Sequence, residues 1–69
     1  MKKSIPLAAI ERLIKNSGAK RVADDAKAEM RDVLEEIAAE LSKSAINFAK
    51  HAGRTTIKAE DVKLAAKQL

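Results

Sequence analysis

Residues 24–52, DDAKAEMRDVLEEIAAELSKSAINFAKHA, run without a glycine or a proline, and apolar side chains recur through them in steps of three, four or one. That spacing is the period of an α-helix. The stripe consists of Ala26, Met30, Val33, Leu34, Ile37, Ala38, Leu41, Ala45, Phe48, Ala49 and Ala52, and Ile46 lies off the line and widens it toward the C-terminal end. Asp24 and Asp25 open the segment, where either can cap the helix and both suit the positive end of its dipole. Gly53 stops it. About 28 residues rising ~1.5 Å each give a helix of roughly 42 Å.

On either side of this helix lie Gly18-Ala19-Lys20-Arg21-Val22 and Gly53-Arg54-Thr55-Thr56-Ile57-Lys58, which hold the only two glycines of the chain. Before the first of these, Ser4 can cap a short helix with Pro6 in its first turn, where a missing N–H costs little. Leu7, Ile10, Leu13 and Ile14 form its apolar stripe, and Asn16-Ser17-Gly18 ends it. After the second lies a short third helix, with Glu60 and Asp61 in the first turn and Lys67 near the end, as the dipole prefers. Val62, Ala65, Ala66 and Leu69 supply its inward face, with Leu64 nearby. The expected fold is all-α and a single domain over residues 1–69: short helix, loop, long central helix, loop, short helix. The two short helices cover only part of the long apolar stripe. Two copies crossing near their middles would cover the rest. An extended coiled coil is the plainer alternative, but the steps hold no clean heptad and the breaks at Gly18 and Gly53 are firm.

Composition narrows the chemistry. A chain of 69 residues is near the size at which only about 60% of the unfolded surface is buried, which again favours association. With no cysteine and one histidine, a disulfide staple or a zinc cluster has no ligands, so no metal or cofactor is expected. No apolar run approaches the roughly 18 residues of a membrane span, and Met1-Lys2-Lys3 is not followed by the apolar core of a signal peptide. A soluble, intracellular chain is expected, without a long basic tail beyond Leu69. Its net charge of +4 is unevenly spread: residues 1–21 hold six Lys or Arg against one Glu, residues 22–42 two against seven Asp or Glu, and residues 43–69 six against two. Only Lys2 and Lys3 could belong to a tail, so an anion-binding surface must be built by folding. Phe48 is the only aromatic residue, which leaves no platform for stacking single-stranded bases. There is no Gly-rich phosphate loop and no convergent nucleophile, base and orienting group, so an enzyme is not expected and no catalytic residue is assigned. A helix-turn-helix repressor fits poorly too, because the central helix is too long for a recognition helix and lacks a base-reading cluster on one outer face.

Ile5-Pro6-Leu7, Gly18-Ala19-Lys20-Arg21-Val22, Asp24-Asp25-Ala26, His51-Ala52-Gly53-Arg54 and Thr56-Ile57-Lys58-Ala59-Glu60-Asp61 together resemble the archaeal histones over almost the whole chain. The last two blocks are the specific ones. The resemblance implies a histone fold whose long helices cross in a handshake dimer, each first loop lying beside the partner's second loop in a short parallel β-bridge. The β-prone Arg21-Val22-Ala23 and Thr55-Thr56-Ile57 suit that pairing. Eukaryotic histone octamers insert arginines into inward-facing minor grooves; the resemblance makes Arg21 that side chain here and Thr56 the residue that orients it. It also makes Arg12, Lys15 and Lys58 phosphate contacts, which position a duplex without reading its sequence. Lys20 stands where relatives are often acidic and strengthens the local field.

The same resemblance pairs Arg54 with Asp61 as a structural clamp of the second loop on the third helix. It places Phe48, His51 and Asp61 at a contact between dimers. His51 would make that contact pH-sensitive between about pH 5 and 8. Asp32 with Lys63, and Glu36 with Lys67, become candidate pairs between stacked superhelical turns, and Gly18 a position where a side chain would obstruct stacking. Two positions depart from the pattern: Thr55 replaces a frequent lysine and Ala23 a frequent capping serine. The implied function is a non-enzymatic chromatin protein of the cytoplasmic nucleoid that binds double-stranded DNA with little sequence preference, bends, wraps and compacts it. Its partners would be itself as a homodimer, or a paralogous histone as a heterodimer, with higher oligomers on DNA and no membrane. The alternative is a histone-fold transcription regulator, or a member of a larger complex, that works as a heterodimer.

Overall fold

A computed structural model of the protein describes residues 5–69; Ser4, the expected first cap, and Lys2 and Lys3 lie outside the described residues. Three helices, α1 (Leu7–Asn16), α2 (Asp24–His51) and α3 (Ala59–Lys67), follow in that order, and the described residues contain no strand. The all-α plan of short, long and short helices is therefore the observed one. Contacts gather into two compact units, one reaching to Glu36 and the other running from Ile37 to Leu69, and α2 contributes to both.

Helix starts differ in detail from the sequence expectation. Pro6 is the N-cap of α1, not a residue of its first turn: it is extended at φ −64° and ψ 138°, and its carbonyl accepts the N–H groups of Ala9 at 3.1 Å and Ile10 at 3.3 Å. The fixed φ of proline suits this conformation, and the N–H it lacks lies outside the helical ladder. In α2 the Ala23 carbonyl takes the first bonds, from Ala26 and Lys27 at 3.1 Å each. Asp24 and Asp25 lie inside the first turn. They act there through charge on the dipole and do not occupy the cap.

The first two helices both end on glycine. Gly53 has φ +73°, and it donates to the Lys50 carbonyl at 2.9 Å while Arg54 N–H donates to the Ala49 carbonyl at 2.9 Å. These are the two reversed bonds of a Schellman motif. Gly18 has φ +120° and makes the bond that corresponds to that of Gly53, to the Lys15 carbonyl three residues back, at 3.0 Å.

In the first unit Ile10 is fully buried, and Ala9, Ile14 and Val22 are half-buried. Glu35 Oε2 accepts the Ile5 N–H at 3.4 Å, tying the chain before α1 to α2. In the second unit Ala45, Ala49 and Ala65 are buried with Asp61, and Leu41, Ser44 and Phe48 are half-buried. Much of the expected inward face is on the outside of the single chain. Leu7 and Leu13 on α1, and Val62, Leu64 and Leu69 on or just beyond α3, are exposed, as is Ala66. On α2, Met30, Val33 and Ile37 are 40%, 39% and 40% exposed and recur at helical spacing, so they form an uncovered apolar line.

Candidate nucleic-acid interface

The basic residues of the first unit fall into two electrostatic groups. Arg12 on α1, and Lys20 and Arg21 in the loop that follows Gly18, are exposed and enter no ion pair among the described residues. Lys15 is exposed too, but its Nζ lies 2.8 Å from Glu11 Oε2, one helical turn back. The other oxygen of Glu11 lies 3.1 Å from Lys27 Nζ on α2, and Lys27 in turn approaches Asp24 Oδ1 at 3.4 Å. The Lys15 and Lys27 ammonium groups hold the Glu11 carboxyl below its ordinary pKa of 4.5. Glu11 first, and Asp24 after it, hold the Lys27 ammonium above its ordinary 10.5 against partial burial. Glu11, Lys27 and Asp24 were not among the residues singled out from sequence as site candidates. The spacing of Glu11 and Lys15 was a readable signal; the approach of Lys27 from a different helix depends on the fold.

In the second unit the loop after Gly53 is organised by Arg54. Its Nη1 donates to Asp61 Oδ2 at 2.8 Å and its Nη2 to Asp61 Oδ1 at 3.0 Å, a bidentate fork. Nη1 also donates to the Thr56 carbonyl at 3.0 Å. Asp61 receives a third donor, the Lys58 backbone N–H at 2.8 Å, which binds the helix start in the manner of a capping box. The Asp61 side chain is only 2% exposed. The Arg54 guanidinium and the Lys58 N–H lower its pKa from 3.8 to about 2. Thr56 and Lys58 are themselves exposed, so the buried carboxylate fixes the backbone of a loop whose other side faces solvent.

The remaining singled-out residues sit as follows. Phe48 is half-buried and His51 exposed, the latter in the last turn of α2. Glu36, Lys63 and Lys67 are exposed, whereas Asp32 Oδ1 is engaged by Arg31 Nε at 3.4 Å. A Cβ placed on Gly18 would meet nothing within 4 Å in this chain. Among the described residues no group of three or more His, Asp or Glu is placed to hold a metal ion, and no helix is long and apolar enough to cross a membrane.

Comparison with known proteins fits this arrangement. Residues 3–66 match the family described as histone-like transcription factor (CBF/NF-Y) and archaeal histone. The chain is 54% identical over 63 residues to one subunit of the archaeal histone HAN1 from Thermococcus zilligii, covering 91% of this chain and 94% of the relative. It is 44% identical over 61 residues to probable archaeal histone 3 of Methanocaldococcus jannaschii, covering 88% and 91%. Three helices of these lengths, the two glycine-ended loops and matches along nearly the whole sequence lead to one conclusion: the chain belongs to the histone-fold family that contains the archaeal histones.

Proposed function

We propose that the protein is a non-enzymatic DNA-packaging histone of the chromosome, which dimerises, binds duplex DNA largely without sequence preference, and bends, wraps and compacts it. The observation that carries this reading is near full-length identity to an archaeal histone, 54% over 91% of the chain. Exposed Arg12, Arg21, Lys20 and Lys58 supply cations for phosphate, with Lys15 on the same helix as Arg12, and the firmly pinned second loop presents Thr56. Dimerisation is supported by the uncovered line of Met30, Val33 and Ile37, which a second copy of α2 would cover. The handshake brings Arg21 of one chain beside Thr56 of the partner subunit. Phe48 and His51 serve contact between dimers, and Asp61 serves it from within its clamp with Arg54.

The test is the salt dependence of binding. Three or four phosphate-engaging cations per chain, or about six to eight per dimer, give a slope of log affinity against log salt between about −5 and −7, at roughly −0.9 per phosphate. A slope near zero refutes the reading. Nuclease digestion of DNA saturated with the pure protein should leave a ladder of regular increments; one short footprint would indicate a site-specific binder instead. One observation favours the alternative of a transcription regulator or complex member working as a heterodimer: the 54% identical relative is itself described as a subunit. Self-association of the purified chain supports the homodimer, and folding only with a second protein supports the alternative.

A further inference from the structure

On α1 the two expected phosphate contacts are not equivalent. Arg12 is exposed and enters no ion pair among the described residues, whereas Lys15 Nζ already lies 2.8 Å from Glu11. An exposed pair one turn apart is ordinarily weak, and a phosphate would displace its carboxylate readily. Glu11 differs from an ordinary partner because it is held from behind. Its second oxygen lies 3.1 Å from Lys27 Nζ, whose side chain is only 16% exposed and which is itself paired with Asp24. The carboxylate therefore keeps its place when Lys15 turns elsewhere. A phosphate arriving at Lys15 would meet a fixed negative charge beside the ammonium it seeks.

We propose that Glu11 is a built-in competitor of DNA phosphate that withholds Lys15, so that α1 offers one effective phosphate contact, Arg12, in place of two. This inference rests on the DNA-binding reading above and refines it: the carboxylate attenuates affinity and keeps the protein exchangeable on DNA. Lys27 and Asp24 act as positioning residues for Glu11 and do not reach the duplex themselves.

Fluorescence anisotropy of the full chain on a random-sequence duplex, across a salt series, tests it. Glu11→Gln should steepen the slope by about 1.8 per dimer, from one freed lysine in each chain at roughly 0.9 per phosphate. That gain should vanish in the Glu11→Gln/Lys15→Gln double variant. Glu29→Gln, which removes the same charge from a different helix, α2, should have an effect independent of Lys15. Lys15→Gln alone leaves the Glu11–Lys27 pair in place, so it carries the test even if Glu11→Gln folds poorly; it should flatten the slope less than half as much as Arg12→Gln. Equal flattening by Lys15→Gln and Arg12→Gln, or a Glu11→Gln gain that survives loss of Lys15, overturns the proposal while leaving DNA binding intact. A native slope near zero, unmoved by Arg12→Gln, overturns the DNA-binding reading and the proposal with it.

Discussion

Replacing Gly53 by L-alanine, and in a chemically synthesised chain by D-alanine, separates backbone conformation from every other role of the residue. Gly53 sits at φ +73°, and an L-configured Cβ there meets nothing within 4 Å, so L-alanine creates no clash and no new contact and its cost is conformational. L-Alanine in this left-handed region costs about 1–2 kcal/mol, offset by about 0.4–1 kcal/mol from the reduced freedom of the unfolded chain. The net loss is about 1 kcal/mol per chain, or roughly 4–8 °C in Tm for a domain of this size. D-Alanine finds the same φ comfortable and keeps only the unfolded-state gain, so its Tm should rise. Gly18, at φ +120° with equally open surroundings, lies beyond the small left-handed region open to L-residues. Gly18→Ala should therefore cost more than Gly53→Ala, and D-alanine should stabilise there too. Urea and thermal unfolding followed by circular dichroism, at one fixed protein concentration, read all four variants. L- and D-alanine shifting Tm in the same direction at either position would refute this account.

Arg54→Ala should lower thermal stability before it affects DNA binding, because it leaves the buried Asp61 carboxylate with the Lys58 N–H as its one remaining donor; an unchanged Tm would show that the fork contributes nothing. The depressed pKa of Asp61, about 2 against 3.8, means that its contribution is complete above about pH 4 and is lost as the pH falls through about 2. Asp61→Asn should accordingly flatten the acid limb of a urea-midpoint profile between those values, and an identical limb in both proteins would contradict the assignment. Reversing charge at Lys63 and Lys67, the residues proposed to pair with Asp32 and Glu36 across superhelical turns, should shorten DNA-bound assemblies without weakening a single dimer. Crosslinked assemblies of unchanged length would remove those pairs from consideration.

The helix plan was legible because its punctuation is chemical. Gly18 and Gly53 each mark a sharp change of backbone direction that the sequence announces, and the residues between α2's aspartates and Gly53 contain nothing that breaks a helix. The helix starts were less legible. Two aspartates are good caps and equally good first-turn residues, and only the Ala23 carbonyl bonds decide between the roles. Burial was the least legible property: the periodicity that groups Ile10 with Leu7 and Leu13 does not say which of them the single chain covers, and it covers Ile10 alone completely. At the basic surface, residue types were readable but their occupancy was not. Lys15 and Arg12 look alike in sequence; they differ because Lys27, from another helix, anchors the glutamate beside one of them. Thr56, singled out for its side chain, also contributes its carbonyl oxygen to Arg54, a role independent of residue type.

The side chains most completely buried in the described chain are one isoleucine, three alanines and an aspartate. Apart from Ile10, such a chain buries none of its described large apolar side chains completely by itself, and it has much to lose from being alone. Its larger apolar residues report whether a copy is assembled, since association removes them from water and solitude displays them. Assembly and protection from degradation then become the same event, and both rise with the square of concentration at low abundance. For the self-associating chain proposed above, cellular proteases would thus act on copies at low abundance and spare those numerous enough to pair.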